Sequence, residues 1–337
     1  MKELPFVTTM IVVRNEERYI KKCLESFLRQ DYPKDKYEIL VIDGCSTDKT
    51  IDIVERIIKV SQDVKITILK NEKKLLASGW NLGIKCAKGE YVVRLDAHGY
   101  AERDFLINSV KTMLEIKDAV CVGGAMQTKA LNSKGDIIAD ILSSPFGVGN
   151  SKFRYSDKAE YVDTVAFGLY KKAIFQKVGY FDETLKRNQD NDMHRRIREA
   201  GGKFYLNPKI KTVYYCRDSI KGMFKQAYLN GKWNIITFYK DRSSLSIRHL
   251  IPLTFVCGIL FCMVLGYFYN IFLWLLLGVL ILHLILGIYF STKKTKKIYS
   301  IMKMPFYYMG LHISYGLGSF LSIISLPLYI KKEKVSC

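Results

Sequence analysis

The chain has 337 residues, enough for one α/β domain of about 200–250 residues and a further region. It carries a net charge of +20, which alone fits either nucleic acid or an anionic lipid surface. No nucleic-acid-binding fold or motif accompanies the charge, which excludes the first partner. Hydrophobic residues make up 49% and cluster after residue 250, so an apolar second region is expected. The cysteines at 23, 45, 86, 121, 216, 257, 262 and 337 show no zinc-finger spacing, so reduced, unpaired thiols are expected. The polar start runs directly into a strand, which predicts no cleaved signal peptide.

Residues 6–13 (FVTTMIVV) form an apolar, β-branched run typical of a buried parallel strand. Asn15 follows as the expected N-cap of a helix, with Glu16 and Glu17 in its first turn. Residues 38–42 predict a second strand, ending at Asp43-Gly44. An Asp at that tip can accept hydrogen bonds from a base or ribose, or can simply belong to a capped β–α turn. Residues 64–69 predict a third strand, 77–87 a short helix and 91–95 a fourth strand. That strand runs into Asp96 and, two residues later, His98. Ligands in open parallel sheets sit at the carboxyl ends of strands. A carboxylate and an imidazole there can hold a divalent cation against a diphosphate.

This alternation predicts an α/β, doubly wound, mostly parallel sheet. A dinucleotide-binding dehydrogenase is disfavoured, because no GxGxxG follows the first strand. Further on, 103–115 read as a helix, 119–126 as a strand, 129–160 as a long irregular loop or lid, and 161–170 as one more strand. Asp190 and Asp192 open a helix rich in Arg; a carboxylate there serves either as a cap or as a general base.

Residues 218–240 interleave Phe224, Tyr228, Trp233 and Phe238 with Lys221, Lys225, Lys232 and Lys240, which fits either a membrane-interface helix or a packed helix. From Leu250 to Phe290 there is no Lys, Arg, Asp or Glu, and the length suits two membrane spans. Arg242 and Arg248 precede them and Lys293, Lys294, Lys296 and Lys297 follow, so both ends are expected on the cytoplasmic side. Residues 304–330 are again uncharged but contain Pro305, Pro327, Gly310, Gly316 and Gly318. They leave two options: a third span, or a re-entrant hairpin before the basic tail Lys331, Lys332 and Lys334. The expected division is a catalytic domain over 1–217, an interface helix region over 218–248, two spans over 249–290, and a basic loop, third apolar segment and basic tail over 291–337.

Several segments together resemble the inverting family 2 glycosyltransferases with a GT-A fold, and within them the membrane branch of the succinoglycan-biosynthesis ExoA type. They are RNEE at 14–17, CLESFLRQDYP at 23–33, EILVIDGCSTDKT at 38–50, VVRLDAH at 92–98, VAFGLYKKAIFQKVGYFDE at 165–183 and NQDND at 188–192 followed by RIREAGG at 196–202. The resemblance covers about residues 6–240. It implies a GT-A nucleotide-sugar-binding domain followed by transmembrane helices, and an enzyme that moves a sugar from a nucleotide-sugar, expected to be a UDP-sugar, to a polyprenyl-linked glycan in cell-surface polysaccharide synthesis. Transfer directly to polyprenyl phosphate is the alternative. The implied setting is a multi-pass protein of the cell inner (plasma) membrane, its catalytic domain cytoplasmic and lying against anionic lipid, with no nucleic-acid partner.

The resemblance also implies roles. Arg14, Glu16 and Asp43 would line the nucleotide pocket. Asp96 and His98 occupy the D-x-D position and would meet the diphosphate and a divalent metal, Mn²⁺ or Mg²⁺. Asp190 stands where the family keeps its catalytic base, after Gln189 in place of the usual Glu. Gln226, Lys232 and Trp233 loosely echo a Q-x-x-R-W element that closes over donor and acceptor; the imperfect spacing argues against a processive synthase. His98 replaces the second Asp, and an imidazole suits Mn²⁺ better than Mg²⁺.

Overall fold

The structure is a computed structural model that describes residues 3–130, 133–185, 187–216, 219–240, 242 and 247–336. Asp218, at the start of the expected interface helix, and Cys337 lie outside the described residues. In chain order the elements are β1 (Val7–Val13), α1 (Ile20–Leu28), β2 (Tyr37–Asp43), α2 (Thr50–Val60), β3 (Lys65–Lys70), α3 (Leu76–Cys86), β4 (Tyr91–Asp96), β5 (Gly99–Ala101), α4 (Phe105–Glu115) and β6 (Ala119–Lys129). There follow α5 (Ser133–Leu142), α6 (Pro145–Val148), β7 (Glu160–Val162), β8 (Leu169–Lys171), α7 (Ala173–Val178), α8 (Gln189–Glu199) and β9 (Lys203–Tyr215). The C-terminal helices are α9 (Ile220–Lys240), α10 (Ile247–Gly266), α11 (Ile271–Lys294) and α12 (Ile298–Ser336).

The chain separates into two compact units: 1–127 with 152–215, and 128–151 with 216–337. Residues 128–151, expected inside the catalytic domain, therefore group with the C-terminal helices.

The first unit is built on one sheet in the order β3-β2-β1-β4-β8-β6-β9-β5, with β7 on β9. It is parallel through β3, β2, β1 and β4, and antiparallel where β8 meets β4 and β6 and where β9 meets β5 and β7. Side chains alternate across a strand, so a sheet covered on both sides needs apolar residues at every position. One face sends Val7, Ile11, Ile39, Val41, Val93 and Leu95 against Cys23, Leu24 and Phe27 of α1 and Phe105 of α4. The other sends Met10, Leu40, Ile42 and Val92 against Trp80 and Ile84 of α3 and Met193 and Ile197 of α8.

Three expectations change in this unit. Residues 161–170 are two short strands, β7 and β8, with different neighbours. The turn between them places Phe167 at a φ of 50° and brings Gly168 so near Cys121 that a Cβ there would lie 2.6 Å from its Sγ. Asn15 does not cap α1: its φ is 57° and its Oδ1 accepts the Thr47 N–H at 2.8 Å. The acids near it serve α2 instead, Asp48 accepting the Thr50 N–H at 3.0 Å and Glu17 the Lys49 N–H at 3.1 Å.

In the second unit, α10, α11 and α12 are long and apolar enough to cross a membrane. Residues 304–330 lie within one continuous helix that passes through Pro305 and Pro327, so no hairpin forms there. The segment expected as an irregular loop holds α5 and α6. The α6 residue Phe146 is ringed by His283, Phe290, Tyr308 and His312. Its carbonyl can only accept, so His312 donates from Nε2 at 2.8 Å. In the neutral tautomer this leaves His312 Nδ1 to accept from His283 Nε2 at 2.9 Å.

The glycines that looked like breaks are points of close helix approach. A Cβ on Gly318 of α12 would sit 2.0 Å from the Tyr228 carbonyl oxygen of α9, and one on Gly231 of α9 would sit 2.1 Å from that of Tyr315. Small residues let apolar helices touch backbone to backbone, which is how helices associate where no hydrophobic drive exists. Helix α9 accordingly buries Met223, Ala227, Gly231, Asn234 and Ile235, as a packed helix does. Gly318→Val should lower the thermal midpoint in detergent by an amount equivalent to about 1–3 kcal/mol or more, the usual cost of overpacking. Gly278→Ala, where an added Cβ meets nothing within 4 Å, should leave it unchanged.

Candidate active site

Strands β1, β2 and β4 end together. Val13 is paired with Asp43, and Val12 with Asp96. The segments after those strands therefore meet at one sheet edge.

The first two tips are laced to each other. Asn15 N–H donates to Ser46 Oγ at 3.0 Å, and Glu16 N–H to Thr50 Oγ1 at 2.8 Å. Gly44 N–H donates to the Val13 carbonyl at 2.8 Å, and the Gly44 Cα faces the Arg14 side chain, with a Cβ there 3.4 Å from Arg14 Cβ. Arg14 itself is exposed. The Asp43 carboxylate is buried and accepts from Ser46 Oγ at 2.6 Å and Ser46 N–H at 3.1 Å. This turn fixes the orientation of a carboxylate that a free side chain would lose on binding.

The third tip carries Asp96 and His98. The Asp96 carbonyl accepts from Cys23 Sγ of α1 at 3.8 Å. His98 lies edge-on to Tyr214 of β9, ring centroids 5.0 Å apart, with Nδ1 3.7 Å from Glu16 Oε1. Glu16, expected in the nucleotide pocket, is thus brought to the imidazole expected to meet the metal. Around them Tyr19 stacks on Tyr215 at 5.9 Å, and Lys22 stands over Tyr100 at 4.4 Å. Among the described residues no group of three or more His, Cys, Asp or Glu is gathered as a metal cluster. Carboxylate and imidazole both ligate Mn²⁺-like ions, so Asp96 and His98 would suit such a cation as two of its ligands.

Asp190 comes from the N-terminus of α8. Asn188, which precedes that helix, is left-handed at a φ of 62° and makes no side-chain cap bond to it, while Asp190 Oδ1 accepts the Asn191 N–H of the first turn at 3.0 Å. Gln189 instead donates through Nε2 to the Leu185 carbonyl at 2.8 Å. Asp192, the other acid of the segment, is buried in ion pairs with Arg195 at 3.1 Å and Arg196 at 2.8 Å. The helix is thus anchored by Asp192 and Gln189, while Asp190 stays 46% exposed, its Oδ2 3.5 Å from Arg94 Nη2. Burial pushes the Asp190 carboxyl up, but the Arg94 charge, with the Asn191 N–H, outweighs it and holds the group below the ordinary carboxylate range. His194 is buried and pushed down to about 3 by desolvation, so it is neutral; its ring nitrogens meet Thr164 Oγ1 at 2.7 Å and Tyr170 Oη at 2.6 Å.

Arg94, Trp80, His194 and Tyr170 are the residues that sequence reasoning missed. An Arg inside the otherwise apolar run YVVRLD was the available signal. Gln226, Lys232 and Trp233 lie on α9 in the second unit, each partly buried. Among the described residues the seven cysteines form no disulfide.

The profile of the family described as "Glycosyl transferase family 2" matches residues 8–179. The chain is 38% identical over 231 residues to the dolichyl N-acetyl-alpha-D-glucosaminyl phosphate 3-beta-D-2,3-diacetamido-2,3-dideoxy-beta-D-glucuronosyltransferase of Methanococcus voltae, covering 67% of this chain and 72% of that one. It is 28% identical to the succinoglycan biosynthesis protein ExoA of Rhizobium meliloti, covering 74% and 76%. Among solved structures, the mannosyltransferase PcManGT from Pyrobaculum calidifontis, in complex with GDP-Man and Mn²⁺, matches with a TM-score of 0.58 at 18% identity, over 93% of this chain and 88% of that one. Residues 1–349 of S. aureus TarS with UDP-GlcNAc match with a TM-score of 0.53 at 21% identity, over 74% and 75%. These structural likenesses establish the GT-A fold.

Proposed function

Because the chain belongs to glycosyl transferase family 2, we propose that it transfers a sugar from a nucleoside-diphosphate donor, a UDP-sugar, to a lipid-linked saccharide at the cytoplasmic face of the cell membrane. The observation that carries this reading is the meeting of the β1, β2 and β4 tips at one edge, with the half-exposed Asp190 tied by Arg94 to β4 itself.

The residue roles follow from chemistry. Asp43, held by Ser46, accepts from the base or ribose, and Arg14 and Glu16 line the same pocket. Asp96 and His98 would hold a divalent cation, which when bound neutralises charge on the departing diphosphate as a Lewis acid. Asp190 takes the proton of the acceptor hydroxyl as that oxygen attacks the anomeric carbon opposite the leaving group. One displacement inverts the centre, and no covalent sugar intermediate forms. We assign Gln189, Gln226, Lys232 and Trp233 to the acceptor side. The lipid acceptor is supported by the name of the Methanococcus voltae relative and by the three apolar helices. The cytoplasmic orientation is supported by Lys293 and Lys294 in the last turn of α11 with Lys296 and Lys297 between α11 and α12, and by the uncharged aromatic turn Tyr267-Phe268-Tyr269 at the other end of α11.

The test is nucleoside-diphosphate release by the purified protein in detergent with Mn²⁺ and a panel of nucleotide-sugars. Release from one donor, stimulated by a polyprenyl-diphosphate-linked saccharide, is expected. Equal or better stimulation by polyprenyl phosphate alone would replace the acceptor assignment with the simpler lipid. No turnover of any donor with either acceptor would overturn the reading.

A further inference from the structure

Arg94 breaks the rule that built the strand around it. Positions 92, 94 and 96 of β4 share one face, and on that face Val92, Met10, Leu40 and Ile42 are buried and apolar. The Arg94 side chain is 12% exposed. A buried guanidinium costs several kcal/mol unless it is well paired. Here the pairing is loose. The guanidinium carbon lies 5.1 Å from the Trp80 ring centroid, one Nη is 3.5 Å from Asp190 Oδ2, and Nε is buried with no hydrogen-bond partner among the described residues. Removing the guanidinium leaves Asp190 without its counter-charge, but that carboxylate is 46% exposed and can keep its charge against water. Stability does not explain the arginine.

The direction of Asp190 does. Its Oδ1 accepts the N–H of its own neighbour Asn191 at 3.0 Å, a bond inside the first turn of α8. His194, one turn along, already uses both ring nitrogens on Thr164 and Tyr170. Arg94 is the cation that meets Oδ2, and it stands on the strand whose tip carries Asp96. A base held from that strand keeps its place relative to the diphosphate site, because both ride on one rigid element.

We propose that Arg94, packed beneath Trp80, is the positioning residue of the base: its charge, 3.5 Å from Oδ2 of Asp190, draws the carboxylate into the direction in which it meets the acceptor hydroxyl. The inference rests on Asp190 being that base. It carries a chemical trade. The groups facing Asp190 are Arg94 from β4, Tyr170 from β8, and His194 with the Asn191 N–H from α8; Asp96 faces the Arg94 guanidinium instead. Arg94 is the fixed positive charge among them. It keeps Asp190 ionised and makes it a weaker base, so orientation is gained against proton affinity.

The test compares Arg94→Met and Arg94→Lys with wild type, in the full chain in detergent at saturating donor and acceptor. Calorimetric UDP binding serves as the check on folding and on the donor pocket. Arg94→Met should bind UDP as wild type does and lose about 100-fold in kcat, the scale of a misplaced catalytic group. Its acid limb in kcat against pH should move up toward the ordinary carboxylate range. Arg94→Lys should keep the wild-type limb and recover part of kcat. A merely structural arginine would lower kcat and leave the limb in place, and that outcome overturns the proposal. Wild-type kcat in Arg94→Met overturns it as well. Should Arg94→Met fail to bind UDP, Arg94→Lys decides: a kcat equal to wild type counts against the positioning role. Asp190→Asn run in parallel separates the two ideas. Full turnover there removes the base reading itself, whereas an inactive Asp190→Asn beside an unaltered Arg94→Met removes this inference alone.

Discussion

Asp190→Asn is expected to abolish sugar transfer, with kcat down about 10²–10⁴-fold, the usual contribution of a positioned general base. Nucleotide binding should survive, because the side chain keeps its shape and its Asn191 bond, and because the turn around Asp43 is built from other residues. The wild-type pH profile is a second reading of the same group. Arg94 outweighs burial and holds the Asp190 carboxyl below its ordinary range, so the base stays ionised through that range. Activity should therefore be lost only as pH falls through the depressed value, and an acid limb lying above the ordinary carboxylate range would contradict the assignment. Steady-state kcat over pH, beside calorimetric UDP binding for both proteins, checks both statements.

Asp96→Asn is expected to cost about 100-fold or more in turnover, because a carboxamide no longer neutralises a cation and the diphosphate loses its counter-charge as it leaves. Chelation of the wild type by EDTA should have the same effect and be reversed by Mn²⁺. His98→Asp is the more informative change. Two carboxylates are a harder donor set than carboxylate and imidazole, so the variant should work as well with Mg²⁺ as with Mn²⁺, where wild type favours Mn²⁺. Its new carboxylate would stand near Glu16, which is 3.7 Å from the imidazole in the wild type. Like charges at that range repel, so this variant should be less stable without metal and gain more thermal stability on adding it. Turnover with each metal, and thermal midpoints with and without it, are the measurements. Unchanged metal preference in His98→Asp would remove His98 from the site.

How much of this was legible in the sequence follows from how each element is buried. Strands β1, β2 and β4 are covered on both faces, so they read as continuous apolar runs. Strand β9 was missed because KFYLNPKIKTVYY buries Phe204, Leu206 and Ile210 while exposing Lys203, Lys209 and Lys211; three lysines and Pro208 disguise it. Strand β5, three residues paired with β9, could not be read without it. Helices α5 and α6 were hidden because the apolar residues Ile138 and Ile141 lie among Gly, Ser and Asp. The acids at the tips of β2 and β4 were visible because strand ends are where such groups act. The support of Asp190 was not, since its partner lies ninety-six positions earlier in the chain (190 − 94 = 96) and only the sheet brings them together.

The close approach of α12 to its neighbours also sets an order of assembly. Helix α12 packs against α9, α10 and α11, and its Gly316 would place a Cβ 2.2 Å from the Pro252 carbonyl of α10. It is the last of the four to leave the ribosome. Until residues 298–336 have been made, α9 has no partner for the Gly231 surface, and Phe146 has neither Tyr308 nor His312 beside it. The sheet, by contrast, has all its strands once residue 215 has emerged. Synthesis thus yields a finished nucleotide-binding unit well before a finished membrane bundle, and a nascent chain stalled after α11 exposes small-residue surfaces that its missing helix would have covered.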